Sequence, residues 1–155
     1  MNKLDLSKEF NPQPKVITGV KPIPMYFSGS YPNVQRGTYL CSKGDIYFRS
    51  KWEANYALYL DFLVKQNQID SWEYEAKMFE FEQIRHGVTR YLPDFQITNN
   101  DGSTEYHEIK GYLDSRSKTK LRRMAKYYPK VKLILIDKEV YNDIKKKVGK
   151  LLNFY

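Results

Sequence analysis

Residues 131–136, Val-Lys-Leu-Ile-Leu-Ile, form the most nearly unbroken apolar run in the chain. A short run of this kind fits a strand buried on both faces, the position strands take when helices cover a sheet. No apolar stretch approaches the roughly 18 residues that a membrane-spanning helix requires. With 155 residues, 41% of them hydrophobic and 28% charged, the chain has the composition of one globular domain. Cys41 is alone, which excludes an intrachain disulfide and a cysteine-based zinc site. The first residues, Met1-Asn2-Lys3-Leu4-Asp5-Leu6, carry charges where an export signal needs an apolar stretch, so the expectation is a cytoplasmic protein.

The periodicity upstream of that strand defines an α/β order. Residues 1–44 hold five of the seven prolines and four of the eight glycines, and read as an extended arm that no long helix fits. Tyr26, Phe27, Tyr31 and Tyr39 suggest that parts of this arm pack on the domain or on a second subunit. From about Lys51 to Gln66, Trp52, Tyr56, Tyr59, Leu60, Leu63 and Val64 recur at helical spacing, and Ser50 with Glu53 fits a capping box. Trp72, Tyr74, Ala76 and Met78 alternate with charged residues as in a strand, and the phase then slips at Phe79, which predicts a bulge. Tyr91–Ile97 is the next strand, with Pro93 marking an edge or irregular start. Asn99-Asn100-Asp101-Gly102 is a turn, and Glu105–Lys110 the third strand. A basic helix follows from about Ser115 to Tyr128, then the apolar strand, then a helix from about Glu139 to Leu152. The predicted fold is a single α/β domain, residues 45–155, in which helices cover a mixed sheet in the order αβββαβ.

The formal net charge is +8, which favours a polyanionic partner, nucleic acid before a membrane surface. The charge is unevenly divided: +4 over residues 1–44, −5 over 45–112 and +9 over 113–155.

The acidic middle contains a constellation with chemical meaning. In the third strand Glu108 and Lys110 share a face, and Ile109 points the other way into apolar packing. Asp94 lies on the preceding strand, and neighbouring strands about 4.8 Å apart bring Asp94 and Glu108 close enough to share one cation. Two carboxylates with the Ile109 carbonyl suit a hard divalent ion such as Mg²⁺, or Mn²⁺ in its place. Lys110 beside the ion would hold the attacking water or stabilise charge building on a phosphate. Glu53, in the first turn of the first helix, would serve the same ion or a second one. The capping box alone also accounts for Glu53, and an exposed ion pair alone accounts for Glu108 and Lys110.

Phe48-Arg49-Ser50 with Glu53, Trp72-Glu73-Tyr74-Glu75, Pro93-Asp94-Phe95 and Glu108-Ile109-Lys110-Gly111 stand in an order that resembles the PD-(D/E)xK nucleases. The likeness is closest to small phage endonucleases, among them those that resolve Holliday junctions, and covers about residues 46–137. The resemblance implies a restriction-endonuclease-like core and metal-dependent hydrolysis of DNA phosphodiesters that leaves a 5′-phosphate. It places Glu53, Asp94, Glu108 and Lys110 at active-site positions, with Glu73 as an additional acid. Action on branched DNA would imply a homodimer, and a phage source would place the protein in the cytoplasm of a bacterial host. The Pro-rich arm and the helical C-terminal end depart from the family pattern. The alternatives are a nicking or sequence-directed nuclease of the same fold and a DNA-binding scaffold without chemistry.

His107 alternates away from Glu108 and reads as a packing residue, and His86 as a solvated loop residue. Arg116, Lys118, Lys120, Arg122, Arg123 and Lys126 place six cations within eleven residues, just after the candidate site. They are the expected phosphate contacts, with Arg49 and Lys51 as further candidates at the mouth of the first helix. Such contacts position a duplex without reading its sequence.

Overall fold

The two strands that carry the candidate acids are neighbours at the heart of a five-stranded mixed sheet. The computed structural model describes residues 15–16 and 35–155. Most of the expected arm, including Tyr26, Phe27, Tyr31 and all five of its prolines, lies outside the described residues. In chain order the strands are β1 (Lys15–Val16), β2 (Gly37–Cys41), β3 (Gly44–Phe48), β4 (Ser71–Tyr74), β5 (Phe79–Glu80), β6 (Arg90–Tyr91), β7 (Phe95–Thr98), β8 (Thr104–Lys110) and β9 (Leu133–Asp137). The helices are α1 (Lys51–Lys65), α2 (Ser115–Tyr127) and α3 (Lys138–Val148).

The main sheet runs β1-β9-β8-β7-β4. The β8–β9 pair is parallel, joined through α2, and the other pairs are antiparallel. The apolar run does form an interior strand, paired on both sides, with Leu133, Ile134, Leu135 and Ile136 all buried. Alternation along the strands sorts the core into two layers. On one face Ile97, Ile109, Ile134 and Ile136 meet Tyr56 and Leu60 of α1 and Tyr141 and Ile144 of α3. On the other, Leu133 meets Leu121 and Met124 of α2, together with Phe79, Phe81, Val88 and Tyr91 around the β5–β6 hairpin. Phe95 has no solvent exposure and is ringed by Phe48, Tyr56, Trp72 and Tyr74, with centroids 5.3–6.4 Å away. No helix among the described residues is long and apolar enough to cross a membrane.

The structure corrects three expectations. Residues 37–44 are not extended arm: β2 pairs with β3 from Gly37↔Phe48 to Cys41↔Gly44, and the 44/45 boundary falls inside this hairpin. Its turn is tight because Gly44 adopts φ +93°, a conformation that disfavours any side chain. The strand expected over Trp72–Met78 stops at Tyr74. Glu75 takes φ +49°, so the slip in phase is a break rather than a bulge. The strand expected over Tyr91–Ile97 is interrupted at Leu92–Asp94, where Pro93 removes a donor, leaving β6 and β7 on separate sheets.

The β7–β8 connection follows the predicted turn. Gly102 takes φ +80° and its N–H donates to the Asn99 carbonyl at 2.9 Å.

Candidate active site

The β7–β8 register sets the geometry of the acids. Phe95 faces His107 across the pair, so one residue earlier Asp94 stands opposite Glu108. Asp94 leaves β7 immediately after the Pro93 break, and its carbonyl accepts the Glu75 N–H at 2.8 Å. Its Oδ2 accepts the Ile109 N–H at 2.7 Å, which ties the carboxylate to the backbone of β8 between Glu108 and Lys110. Asp94 is 1% exposed and Glu108 is 4% exposed.

Glu108 is held from two sides. Tyr91 donates its hydroxyl to Oε2 at 2.9 Å, and Lys110 Nζ lies 3.1 Å from Oε1. Ile109 points into the opposite layer and is buried, as period-two alternation requires. Gly111 then lets the chain leave β8 against Trp52. A Cβ there would come within 3.2 Å of the Trp52 ring, which is itself stacked on Tyr141 at 4.1 Å.

Glu53 combines the two roles its sequence position allows. Ser50 caps α1 by accepting the Glu53 N–H at 3.1 Å and returns its hydroxyl to Oε1 at 2.9 Å. Oε2 accepts the Arg49 N–H at 3.1 Å and the Tyr74 hydroxyl at 2.6 Å. Three donors therefore already occupy this carboxylate, fixing it as a wall of the site. Arg49 closes the remaining side. Its Nη2 lies 3.0 Å from Asp94 Oδ1 and 2.7 Å from Glu75 Oε1.

The electrostatics follow from crowding. Burial pushes the Asp94 carboxyl well above the usual range, and the nearby charges of Glu108 and Glu53 push it the same way, against Lys110 and the Ile109 N–H. Burial works against the Lys110 ammonium, but Glu108 and Asp94 outweigh it and raise its pKa above an ordinary lysine. Lys110 is thus a fixed cation at neutral pH, suited to donating a hydrogen bond and unable to take up a proton. Burial pushes the Tyr91 and Tyr74 hydroxyls up, aided by Glu108 and Glu53 respectively, so both act as donors. Lys120 of α2 lies 5.9 Å from the Tyr91 ring centre, and burial, joined by Lys110, Arg116 and Arg49, pushes its pKa down despite Glu108. Four carboxyl groups, Glu53, Glu75, Asp94 and Glu108, gather with three basic groups, Arg49, Lys110 and Lys120.

Of the residues singled out in the sequence, Glu53, Asp94, Glu108, Lys110 and the Ile109 backbone come together at one end of the sheet. Glu73 does not join them. It is exposed on β4, one residue out of phase with Tyr74. The second acid of that segment that reaches the site is Glu75, which sequence periodicity had placed on the same solvent face as Glu73. Tyr74 and Tyr91, the donors to Glu53 and Glu108, were read from the sequence only as strand residues. His107 packs as expected, on the face opposite Glu108: its Nδ1 lies 2.8 Å from the Tyr56 hydroxyl and its Nε2 2.9 Å from Glu105.

The basic helix divides. Arg116, Arg122 and Lys126 are exposed, and Lys118 and Lys120 are half-buried. Arg123 is spent on structure, donating from its guanidinium to the Val88 carbonyl across the helix–hairpin contact. Lys51 sits in the first turn of α1, half-buried.

Among the described residues, no three histidine, cysteine, aspartate or glutamate side chains converge as a ready-made metal cage. The donor chemistry nevertheless suits a hard divalent ion: buried carboxylates from adjacent strands, and a Glu75 Oε1 that is buried and accepts no hydrogen bond among the described residues.

Fold and site together define a mixed α/β protein with a buried carboxylate–lysine cluster at a sheet end. The chain belongs to a family of proteins of unknown function, DUF1064, which it matches over residues 40–144, a span that includes every residue of the cluster. No curated protein and no solved structure matches the chain.

Proposed function

We propose that the protein is a metal-dependent DNA endonuclease of the PD-(D/E)xK kind, with branched DNA as its substrate. The observation that carries this reading is the pairing of Asp94 and Glu108 on adjacent strands, with Lys110 held 3.1 Å from Glu108 on the same face. Asp94, Glu108 and the Ile109 carbonyl would hold Mg²⁺ or Mn²⁺, and Glu75 lies within reach of Asp94 through their shared partner Arg49. Such an ion, when bound, polarises the scissile phosphate and lowers the pKa of a coordinated water.

The chain's own residues would do the rest. Tyr91 orients Glu108 by donating to one oxygen, which leaves the other facing Lys110. Lys110, a permanent ammonium, orients the attacking water and offsets charge on the phosphate oxygens. Glu53, through Tyr74 and the Arg49 N–H, holds the start of α1 against the acids. Exposed cations of α2 would seat the DNA backbone beside this point. Opposed nicks across a junction need two such sites, so the active species on this reading is a homodimer.

The test compares a four-way junction with a linear duplex of matched sequence, each incubated with the protein and Mg²⁺. Preferential cutting of the junction in paired strands is the expected result. Equal cutting of both would make it a general or nicking nuclease, and binding of both without cutting in either would make it a scaffold.

A further inference from the structure

Arg49 is an unusual partner for a buried acid. It stands between β3 and α1, and among the described residues one nitrogen, Nη2, makes both of its carboxylate contacts, to Asp94 Oδ1 and to Glu75 Oε1. The strong way for arginine to bind a carboxylate is the two-pronged fork, which is not used here. The Arg49 side chain is 50% exposed, whereas that of Asp94 is 1% exposed. Its backbone N–H is anchored on Glu53 Oε2, so the start of the side chain is fixed while half of the side chain's surface stays open to solvent. The contact with Glu75 lacks hydrogen-bond geometry: Oε1 is buried beside the guanidinium and accepts no hydrogen bond among the described residues. A single point of positive charge between two carboxylate oxygens is the arrangement a hard divalent cation also seeks, at the shorter distances of about 2.0–2.6 Å. Two cations cannot occupy that place together.

We infer that Arg49 is an exchangeable counter-cation: it neutralises Asp94 and Glu75 while no divalent ion is bound, and a divalent ion displaces it. The inference rests on the metal-nuclease reading and adds to it a competition between a side chain and the metal. Displacement frees the guanidinium at the solvent edge of the cluster, where a substrate phosphate would meet it. Metal and polyanion would then be bound in linked fashion, because the same cation leaves one and becomes available to the other. Arg49 is thus kept out of phosphate contact until the site is charged with metal.

The test is Mn²⁺ binding without DNA, read by electron paramagnetic resonance at low ionic strength. It compares the wild type with Arg49→Ala, Arg49→Gln and Arg122→Ala. Removing the competitor should tighten Mn²⁺ binding by about tenfold or more in both Arg49 variants. Arg122→Ala removes an equal charge from an exposed site on α2 and should leave affinity within about twofold. Arg49→Gln keeps most of the side-chain volume and carries the test if the alanine variant fails to fold by circular dichroism. Unchanged or weaker binding in the Arg49 variants, beside a wild type that binds, would overturn the exchange and leave the metal reading standing. Equal tightening by Arg122→Ala would also overturn it, since the effect would then be diffuse charge. Absence of Mn²⁺ binding in all the proteins would overturn both.

Discussion

At Asp94 burial and like charge act in the same direction, and this residue therefore stores a cost in the folded protein. Its carboxyl has a folded pKa well above the unfolded value of about 3.9. The sign of the linkage is the reverse of the usual acid. Above the folded pKa the native state carries the full penalty of a buried charge. As pH falls through that value the native state takes up a proton and the penalty shrinks, vanishing below the unfolded pKa. Asp94→Asn keeps an acceptor for the Ile109 N–H and removes the charge. It should raise the melting temperature at neutral pH by about 2–4 °C, the equivalent of about 1 kcal/mol for a chain of this size. That advantage should fade on acidification, and scanning calorimetry across pH reads both effects. A variant less stable than wild type at neutral pH would show that the Arg49 pair outweighs burial. Legibility at this scale followed the backbone. Glu108 and Lys110 were readable because β8 runs seven residues in an unbroken register with its neighbours, so residues two apart share a face. Glu75 was not, because a left-handed φ of +49° ends the alternation at that residue and turns its side chain toward Arg49. Nothing in Trp72-Glu73-Tyr74-Glu75 signals that reversal, since glutamate is a poor left-handed residue.

Among the elements, α2 shows how a run of one residue type can serve two purposes. Leu121 and Met124 bury one face, and the cations occupy the rest. Arg122 and Lys126 are exposed and Arg123 is tied to the Val88 carbonyl, so substitutions in one helix should separate binding from stability. Arg122→Ala with Lys126→Ala should weaken binding of all DNA sequences alike and reduce the salt slope by about 1–2, with little change in melting temperature. Arg123→Ala should lower the melting temperature by loosening the β5–β6 hairpin from α2. Fluorescence anisotropy over a salt series, beside thermal melts, measures both, and a sequence-selective loss of binding would contradict the phosphate role. The helices themselves were legible from periodicity and, for α1, from its cap: Ser50 accepts the N–H three residues on, as Asp114 does in α2. The β2–β3 hairpin was hidden by the surrounding prolines and glycines. Its own signal was present in the alternation of Tyr39 and Cys41 with Ile46 and Phe48 about a Gly44 that requires positive φ. The short β5–β6 hairpin was lost because two-residue strands carry too little periodicity to register.

Across the whole molecule the division of charge acquires a physical meaning. The acidic stretch, −5 over residues 45–112, contains all four carboxylates of the cluster, and the +9 that follows supplies α2 and α3. The parallel β8–β9 pair, crossed by α2, brings the basic helix back over the face from which Glu108 and Lys110 project. The layered α/β plan was legible because the apolar strand and three helical patterns leave few other ways to bury a core. What the sequence did not carry was the closure of the site by Arg49, since ion pairs between residues 45 positions apart depend on the finished fold. The central claim is that Asp94, Glu108 and Lys110 cut DNA with the help of a divalent ion. Its most direct measurement is cleavage of radiolabelled DNA by wild type and Glu108→Gln, with Mg²⁺ and with chelator. Wild type should cut only with Mg²⁺, and Glu108→Gln should lose about 100-fold or more in rate while binding the same DNA. Equal rates for the two proteins, or wild-type cutting that persists in chelator, would contradict it.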